Sequence, residues 1–502
     1  MSSPGSAERL ILRGGVSAGL GFLARFGARF LFLFIAGQLY GQRLFGAFAV
    51  AVAIAELGVA AGGVGLRKIL FQLLDRNAEV DERPALHVVL DGALLVSAAS
   101  GALAAVVVGG VLLLPAGTIG TNTATALLIV APMITGQALL DLLTAATRWK
   151  HVMQYEVMSR SFIEPYAGLA AAAAAYLLGF QQTGLAISYG VGTLAALAFS
   201  VLGLRRTYGR SAVPYRTSVA RLAATLRSTT ANTTSDFVNA VFTRLDLYLV
   251  GGLLGEAAAG IYGMARQLRT PVRQVRQSLE SLLTPIAART LSASGAAQAG
   301  AALASASRLI LAMTLPVLVV LFALGEPLLA AFGAPFVAGY RAMLIVTAAE
   351  IIQGAYGLSS LILVYRAPWI GLRLTVLWAL IGFLAGAAAI PLAGIEAAAA
   401  SVLLAYGGMA LHRRLLLGRR FAVVVPVGHS LGPLVAAAAA LTVSAVTAML
   451  LRPMSELTVS FIAAAAGLAV YASALWAAVR LTGERLTMAG FVAEPPPQRS
   501  AQ

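Results

Sequence analysis

Four arginines, Arg266, Arg269, Arg273 and Arg276, recur at spacings of three, four and three inside an otherwise apolar stretch. On a helix this rhythm puts all four on one face over about 15 Å. Guanidinium groups in such a row suit a polyanion, because each fork pairs with two phosphate or carboxylate oxygens at once. A second row, Arg13, Ser17, Gly21, Arg25 and Arg29, repeats every four residues near the N-terminus and again forms one face. Two readings of the Arg266 to Arg276 row stand. It lines a cavity within a membrane, which the apolar Leu282, Leu283, Ile286 and Ala287 beyond it favour, or it projects into cytoplasmic water.

Acids interrupt other apolar stretches at Glu56, Asp91, Asp141, Asp246 and Glu350. An ionisable group near a bilayer centre costs ~2.5 to 3.5 kcal/mol, so such residues face a cavity or a partner. Pairing with the arginines is one role for these acids; proton or sodium coupling, at Asp141 or Glu350, is the other. Asn232, Asp236, Asn239, Thr243 and Asp246 form a further polar stripe at helical spacing, on a segment that either spans the bilayer or lies in its interface. Glu164, just before Pro165 and near the end of a segment, reads as a topological residue.

The usual signatures of catalysis are missing. Zero cysteines exclude thiolate chemistry, and His87, His151, His412 and His429 lack metal-ligand spacing. The only lysines, Lys68 and Lys150, precede Ile69 and His151, so neither completes a phosphate-binding Walker A loop. No connection is long enough for a soluble catalytic domain. Neither catalytic residue, metal nor cofactor is therefore expected, and the chain does not read as an enzyme.

The elements that position these groups follow from composition. With 59% hydrophobic and 11% charged residues and a mean hydropathy of +0.85, lipid is the solvent. Long apolar runs then select helices, which pair every backbone polar group internally. The expected fold is an all-α polytopic membrane protein of about fourteen helices, at ~20 residues each. The first six run approximately from Ile11 to Leu39, Leu44 to Leu66, Leu86 to Leu114, Thr123 to Thr147, Tyr155 to Leu178 and Leu185 to Leu204. The next six run from Thr229 to Leu254, Gly260 to Ala288, Leu303 to Leu324, Ala342 to Tyr365, Trp369 to Leu392 and Gly394 to Leu411. Val423 to Leu450 and Leu457 to Leu481 complete the set. Arg25 and Arg29 within the first stretch, with no cleavage site, mark a retained helix rather than a signal peptide.

A net charge of +16 would suggest nucleic acid in a soluble protein, but here the basic residues mark topology. Between helices, one side of the membrane carries only Arg43, Arg341 and Arg452, and the other basic connections all fall on the opposite side. Basic residues gather on the cytoplasmic side, so both termini are placed there. The expected domains are a six-helix lobe (1–204), a basic cytoplasmic linker (205–228), a second six-helix lobe (229–412), and two accessory helices with a tail (413–502). The linker is read either as a solvated loop or as a segment on anionic headgroups.

The two lobes share a motif. Gly41-Gln42-Arg43-Leu44-Phe45-Gly46-Ala47-Phe48 parallels Gly255-Glu256-Ala257-Ala258-Ala259-Gly260-Ile261-Tyr262 without a gap, as G-x4-G-x-[FY]. Equal orientation of the copies implies parallel halves about an axis along the membrane normal.

Glu56-Leu57-Gly58-Val59 with Arg67, then Arg244-Leu245-Asp246-Leu247-Tyr248, Gly255, Gly260-Ile261-Tyr262 and Pro285-Ile286-Ala287, resemble the Wzx-type polysaccharide flippases of the multidrug/oligosaccharidyl-lipid/polysaccharide (MOP) exporter superfamily. The resemblance covers Ile11 to Leu411. It implies alternating access in a bacterial plasma membrane, the inner one in a Gram-negative cell, and export of an undecaprenyl-diphosphate-linked oligosaccharide. The implied partners are that substrate, membrane lipids, a polysaccharide polymerase and chain-length proteins, with no nucleic acid. Arg25, Arg29, Arg244 and the Arg266 to Arg276 row are then the candidates for the lipid diphosphate. Glu56, Asp91, Asp141, Asn239, Asp246 and Glu350 are the candidate cavity or coupling residues. Cation-coupled multidrug exporters and lipid II flippases share the architecture and remain alternatives.

Overall fold

The computed structural model describes residues 25–80, 84–115, 117–209, 211, 213–279, 296–360, 362–363, 367–426, 428–451 and 454–482. Arg13, Ser17, Gly21, the Leu282 to Ala287 stretch and Arg452 lie outside them. Among the described residues every regular element is helical, and nine helices are long and apolar enough to cross a membrane, or ten if one bent pair is a single span.

The chain packs as two compact units, Met1–Gly260 and Ile261–Gln502. In the first, α1 (25–40) leads into α2 (Gly41–Gly62), α3 (Leu66–Val80) and α4 (Ala85–Leu113). There follow α5 (Thr121–Val130), α6 (Met133–Trp149), α7 (Gln154–Met158), a π-helical turn (Ser159–Ile163), α8 (Glu164–Leu177) and α9 (Gly184–Tyr208). The long α10 (Val219–Gln267) begins in this unit. The second unit holds α11 (270–279), α12 (Ala296–Phe332), α13 (Tyr340–Gly357), α14 (Pro368–Phe421), α15 (Gly428–Leu450) and α16 (Glu456–Thr482).

Two long helices run across boundaries between expected spans because the chain folds back within them: α14 holds two whole spans, and α10 holds one with the start of the next. Gly41 ends α1 at φ 73°, ψ 175°, and Gly255 breaks α10 at φ 84°, ψ −177°. Only glycine enters this region without strain. The two copies of the sequence repeat thus share one backbone conformation at their first glycine. Their second glycines meet. A β-carbon on Gly46 would strike the Glu256 carbonyl oxygen, and one on Gly260 would strike that of Gln42. The relation is reciprocal, residue for residue, as a local twofold axis requires. Glu256 then anchors the crossing, accepting hydrogen bonds from Asn122 Nδ2 (2.8 Å) and from Thr123 N (2.8 Å) and Oγ1 (3.0 Å), with Arg43 Nε at 3.4 Å. A carboxylate at the first turn of α5 also complements the helix dipole. In the second unit α14 reverses at Ala393–Gly394, so that Gly382 packs on Ala405 and Ser401.

Three features depart from the sequence-based expectation. The expected spans leave residues 67–85 as a connection, yet α3 runs from Leu66 to Val80, with Leu66, Leu70 and Leu74 buried beside Val89, Val96 and Leu142. Apolar residues every fourth position give that helix a stripe to bury, while Arg67 and Lys68 stay outside. The linker shortens as well, because α9 runs to Tyr208 and α10 starts at Val219. It is also tethered, through a hydrogen bond from Tyr215 Oη to Asp91 Oδ1 at 2.8 Å. Packing moreover groups the seventh span with the first unit, and Tyr248 Oη donates to the Ala53 carbonyl there at 2.8 Å.

The accessory helices are not peripheral to the second unit. Ala436 and Ala440 of α15 and Tyr471 of α16 share one core with Val272 of α11, Leu311 and Leu315 of α12, and Ile351 and Ala355 of α13. Tyr471 Oη donates to the Ala312 carbonyl at 3.0 Å. Small residues let these backbones approach closely enough for dispersion to replace the hydrophobic effect that lipid does not supply.

Candidate functional site

The face of α6 decides the first unit's interior. Gln137, Asp141, Thr144 and Arg148 fall at i, i+4, i+7 and i+11, one stripe of a helix. Opposite them the π-helical turn Ser159–Ile163 presents Arg160, and α8 opens with Glu164. The extra residue of a π turn re-aims side chains that a regular helix would carry past the stripe. The turn from α2 to α3, with Val64 at φ 50° and Gly65 at φ 61°, brings Arg67 to the same space.

Together these elements enclose a cavity of about 570 Å³. Glu56 and Val59 of α2, Arg25 of α1, Glu156 of α7 and Tyr189 of α9 complete its wall. Four arginines and four acids line it, so its charges balance. Arg160 is the hub. Its Nη1 donates to Gln137 Oε1 (2.7 Å) and Glu164 Oε2 (3.1 Å), and its Nη2 binds Asp141. Gln137 Nε2 in turn donates to Glu164 Oε1 (2.7 Å) and Thr193 Oγ1 (2.9 Å). Arg67 Nη1 lies 3.6 Å from Asp141 Oδ2, and Arg148 Nη1 donates to Glu156 at 3.1 Å. Removing charges from water is costly, and only a web of this kind offsets the loss.

Arg25 and Arg29 face this region: Arg25 Nη2 donates to Ser161 Oγ at 3.1 Å, and Arg29 lies in the field of Glu56 and Arg244. Arg244 and Glu56 form an ion pair, and Lys68 pairs with Asp236. Asp246 is buried, Asn239 is exposed, and Asp91 is buried where it receives Tyr215. Glu164 corrects the sequence reading. It is no topological marker but a member of the Arg160 network. Arg160, Gln137, Arg148, Glu156 and Tyr189 were not among the expected site residues. The Arg160-x3-Glu164 spacing beside an apolar run was the available signal.

The second unit contains a separate charged centre. Glu350, 3% exposed on α13, lies 3.5 Å from Arg269 Nη1, 3.6 Å from Arg273 Nε and 3.3 Å from Arg276 Nη2. Arg266 sits over the Tyr262 ring, 6.0 Å from its centroid. The row is not one continuous helix: a turn at Leu268–Arg269 separates α10 from α11. Pro271 accounts for it, because its nitrogen cannot donate to the Gln267 carbonyl. Thr270 Oγ1 takes over that carbonyl at 2.6 Å. Arg269 is 2% exposed, so projection into water does not describe it. The lining of both centres offers forked donors and carboxylate acceptors, the groups that bind phosphates and sugar hydroxyls.

In fold the chain is similar to the lipid II flippase MurJ in an inward closed conformation, with a TM-score of 0.67, 14% identity, and 93% of this chain and 100% of that one covered. It is also similar to an inward-facing multidrug resistance MATE family transporter of the MOP superfamily, with a TM-score of 0.57, 11% identity, and 79% and 94% covered. No curated protein sequence matches it. The sequence profile described as polysaccharide biosynthesis protein matches residues 37–335, more than half of the chain and all of the cavity wall except Arg25. The chain therefore belongs to the polysaccharide biosynthesis protein family, built on the helical membrane fold of the MOP-superfamily transporters.

Proposed function

We propose that this protein is a flippase that moves an undecaprenyl-diphosphate-linked oligosaccharide from the inner to the outer leaflet of a bacterial plasma membrane, by alternating access, for polysaccharide synthesis. The observation that carries the reading is the 570 Å³ charged cavity inside a membrane-spanning unit of a polysaccharide biosynthesis family. Such a space is costly in lipid unless it serves a polar cargo. Sugar hydroxyls exchange hydrogen bonds with Gln137, Glu164 and Tyr189. Arg25, Arg29 and Arg244 in one unit, and Arg266, Arg269, Arg273 and Arg276 in the other, are the proposed diphosphate ligands. The prenyl chain stays in the bilayer, so only the head is transferred from water. Asp141 and Glu350 are the proposed sites of proton or sodium coupling. Both termini face the cytoplasm in this reading, and the shared conformation at Gly41 and Gly255 supports two parallel lobes.

The test uses purified protein in liposomes with a fluorescent undecaprenyl-diphosphate glycan on one leaflet, read by its accessibility to a quencher on the other. Arg269→Ala with Arg273→Ala should abolish transfer, and unchanged transfer would refute the diphosphate assignment. A lipid II flippase is the second reading, favoured by the cover of 93% of this chain in the MurJ likeness against 79% in the MATE likeness. Complementation of a strain lacking lipid II export separates the two. A balanced rather than acidic cavity argues against export of cationic drugs.

A further inference from the structure

The second unit carries a cavity outside both charged centres. Between the two limbs of α14, toward its basic end, lies a space of about 510 Å³ walled by Trp378, Leu411, His412 and Leu415 and reaching Arg419 and Arg420. Gly408 makes room for the indole, since a β-carbon there would strike the Trp378 ring. The indole N–H points at His412 Nδ1 (3.4 Å), with the rings edge-on at 6.5 Å. Leu411 and Leu415 are at least half exposed, and both terminal arginines are exposed. Arg413 turns the other way, buried and donating to the Gly357 carbonyl at 3.2 Å.

We propose that this cavity is a site for an anionic phospholipid of the cytoplasmic leaflet, with its phosphate on Arg419 and Arg420 and the upper part of an acyl chain against Trp378, Leu411 and Leu415. Three arguments support that occupant. An apolar helix face at membrane depth meets lipid, so its resident is an amphiphile rather than a soluble metabolite. The volume falls within the range of small-ligand sites, about 300 to 1,000 Å³. Two adjacent guanidinium groups at one end of an apolar wall match a phosphate above hydrocarbon, and basic pockets on the cytoplasmic side select anionic headgroups. The side assignment rests on the distribution of basic residues between helices; the site itself is independent of the transported cargo.

Brominated lipids provide the test. The full chain contains four tryptophans, so the Trp378 signal is the difference between the parent protein and Trp378→Phe in the same bilayers. Brominated phosphatidylglycerol should quench it at a much lower mole fraction than brominated phosphatidylcholine. At about fivefold per guanidinium, Arg419→Gln with Arg420→Gln should reduce the preference about 25-fold. Native mass spectrometry of retained phosphatidylglycerol gives the same comparison without the tryptophan variant. Equal quenching by both lipids in the parent, or a preference that survives the double substitution, would overturn the proposal. So would an equal loss from Arg414→Gln, an exposed arginine outside the cavity wall, because that would mean a diffuse basic surface. Displacement of the phospholipid by trace undecaprenyl diphosphate would assign the site to cargo and also overturn it.

Discussion

Replacing Gly260 by alanine should push α2 and α10 apart at their crossing. A β-carbon there would overlap the Gln42 carbonyl oxygen and lie 2.8 Å from its carbon and 3.1 Å from Gly46 N. Carbon contacts settle near 3.5 to 4.0 Å and the overlapped oxygen is closer than the carbon, so the segments must part by more than about 1 Å. The obstructing atoms are backbone, and no rotamer change relieves them. Overpacking of this kind costs about 3 kcal/mol, from which the better helix propensity of alanine removes about 1, leaving about 2 kcal/mol. The reciprocal geometry predicts the same loss for Gly46→Ala, whose β-carbon would meet Glu256 O and lie 2.9 Å from Glu256 C. One separation relieves both clashes. The separation is imposed once while the propensity gain comes at both positions, so the double variant should lose about 1 kcal/mol rather than about 4, a strong non-additivity. Denaturant titration of the purified protein in detergent measures all three, and export assays show whether the crossing must open during transport. Single variants within about 0.5 kcal/mol of the parent, or a double variant equal to the sum, would refute the reciprocal packing.

Two further outcomes follow from the polar contacts of the first unit. Arg160→Leu should cost about 2 kcal/mol and abolish export, a partly exposed case of a broken buried pair; adding Asp141→Asn should recover part of the stability, and a further loss instead would contradict the network. Tyr215→Phe should remove about 1 kcal/mol and raise the rate of proteolysis within residues 209–218, and unchanged cleavage would show that the Asp91 hydrogen bond does not hold the linker.

How much was legible depends on what each residue answers to. Gly255 and the Ala393–Gly394 step were placed at span boundaries from sequence, because a break in an apolar run and a glycine are local signals. Pro271 was equally visible, yet the arginine rhythm around it suggested an unbroken helix. Here the missing N–H outweighed periodicity. The role of Arg160 as a hub is not legible in sequence because its neighbours in space, Asp141 and Gln137, are 19 and 23 residues away. Glu164 escapes a sequence reading for the same reason: proximity to a segment end says nothing about what faces it.

Composition and hydropathy alone determined that the chain is helical and crosses a membrane, because unpaired backbone groups cannot persist in hydrocarbon. The repeat at Gly41 and Gly255 was likewise a property of the string of residues. Only the tertiary structure decided which charges share a space. Arg269, Arg273 and Arg276 converge on Glu350 in one unit, while Arg160 gathers Asp141, Glu164 and Gln137 in the other. The physical reason is that helix periodicity assigns a side chain to a face, whereas its partner depends on the rotation and depth of neighbouring helices, which small-residue contacts such as Gly46 with Gly260 set.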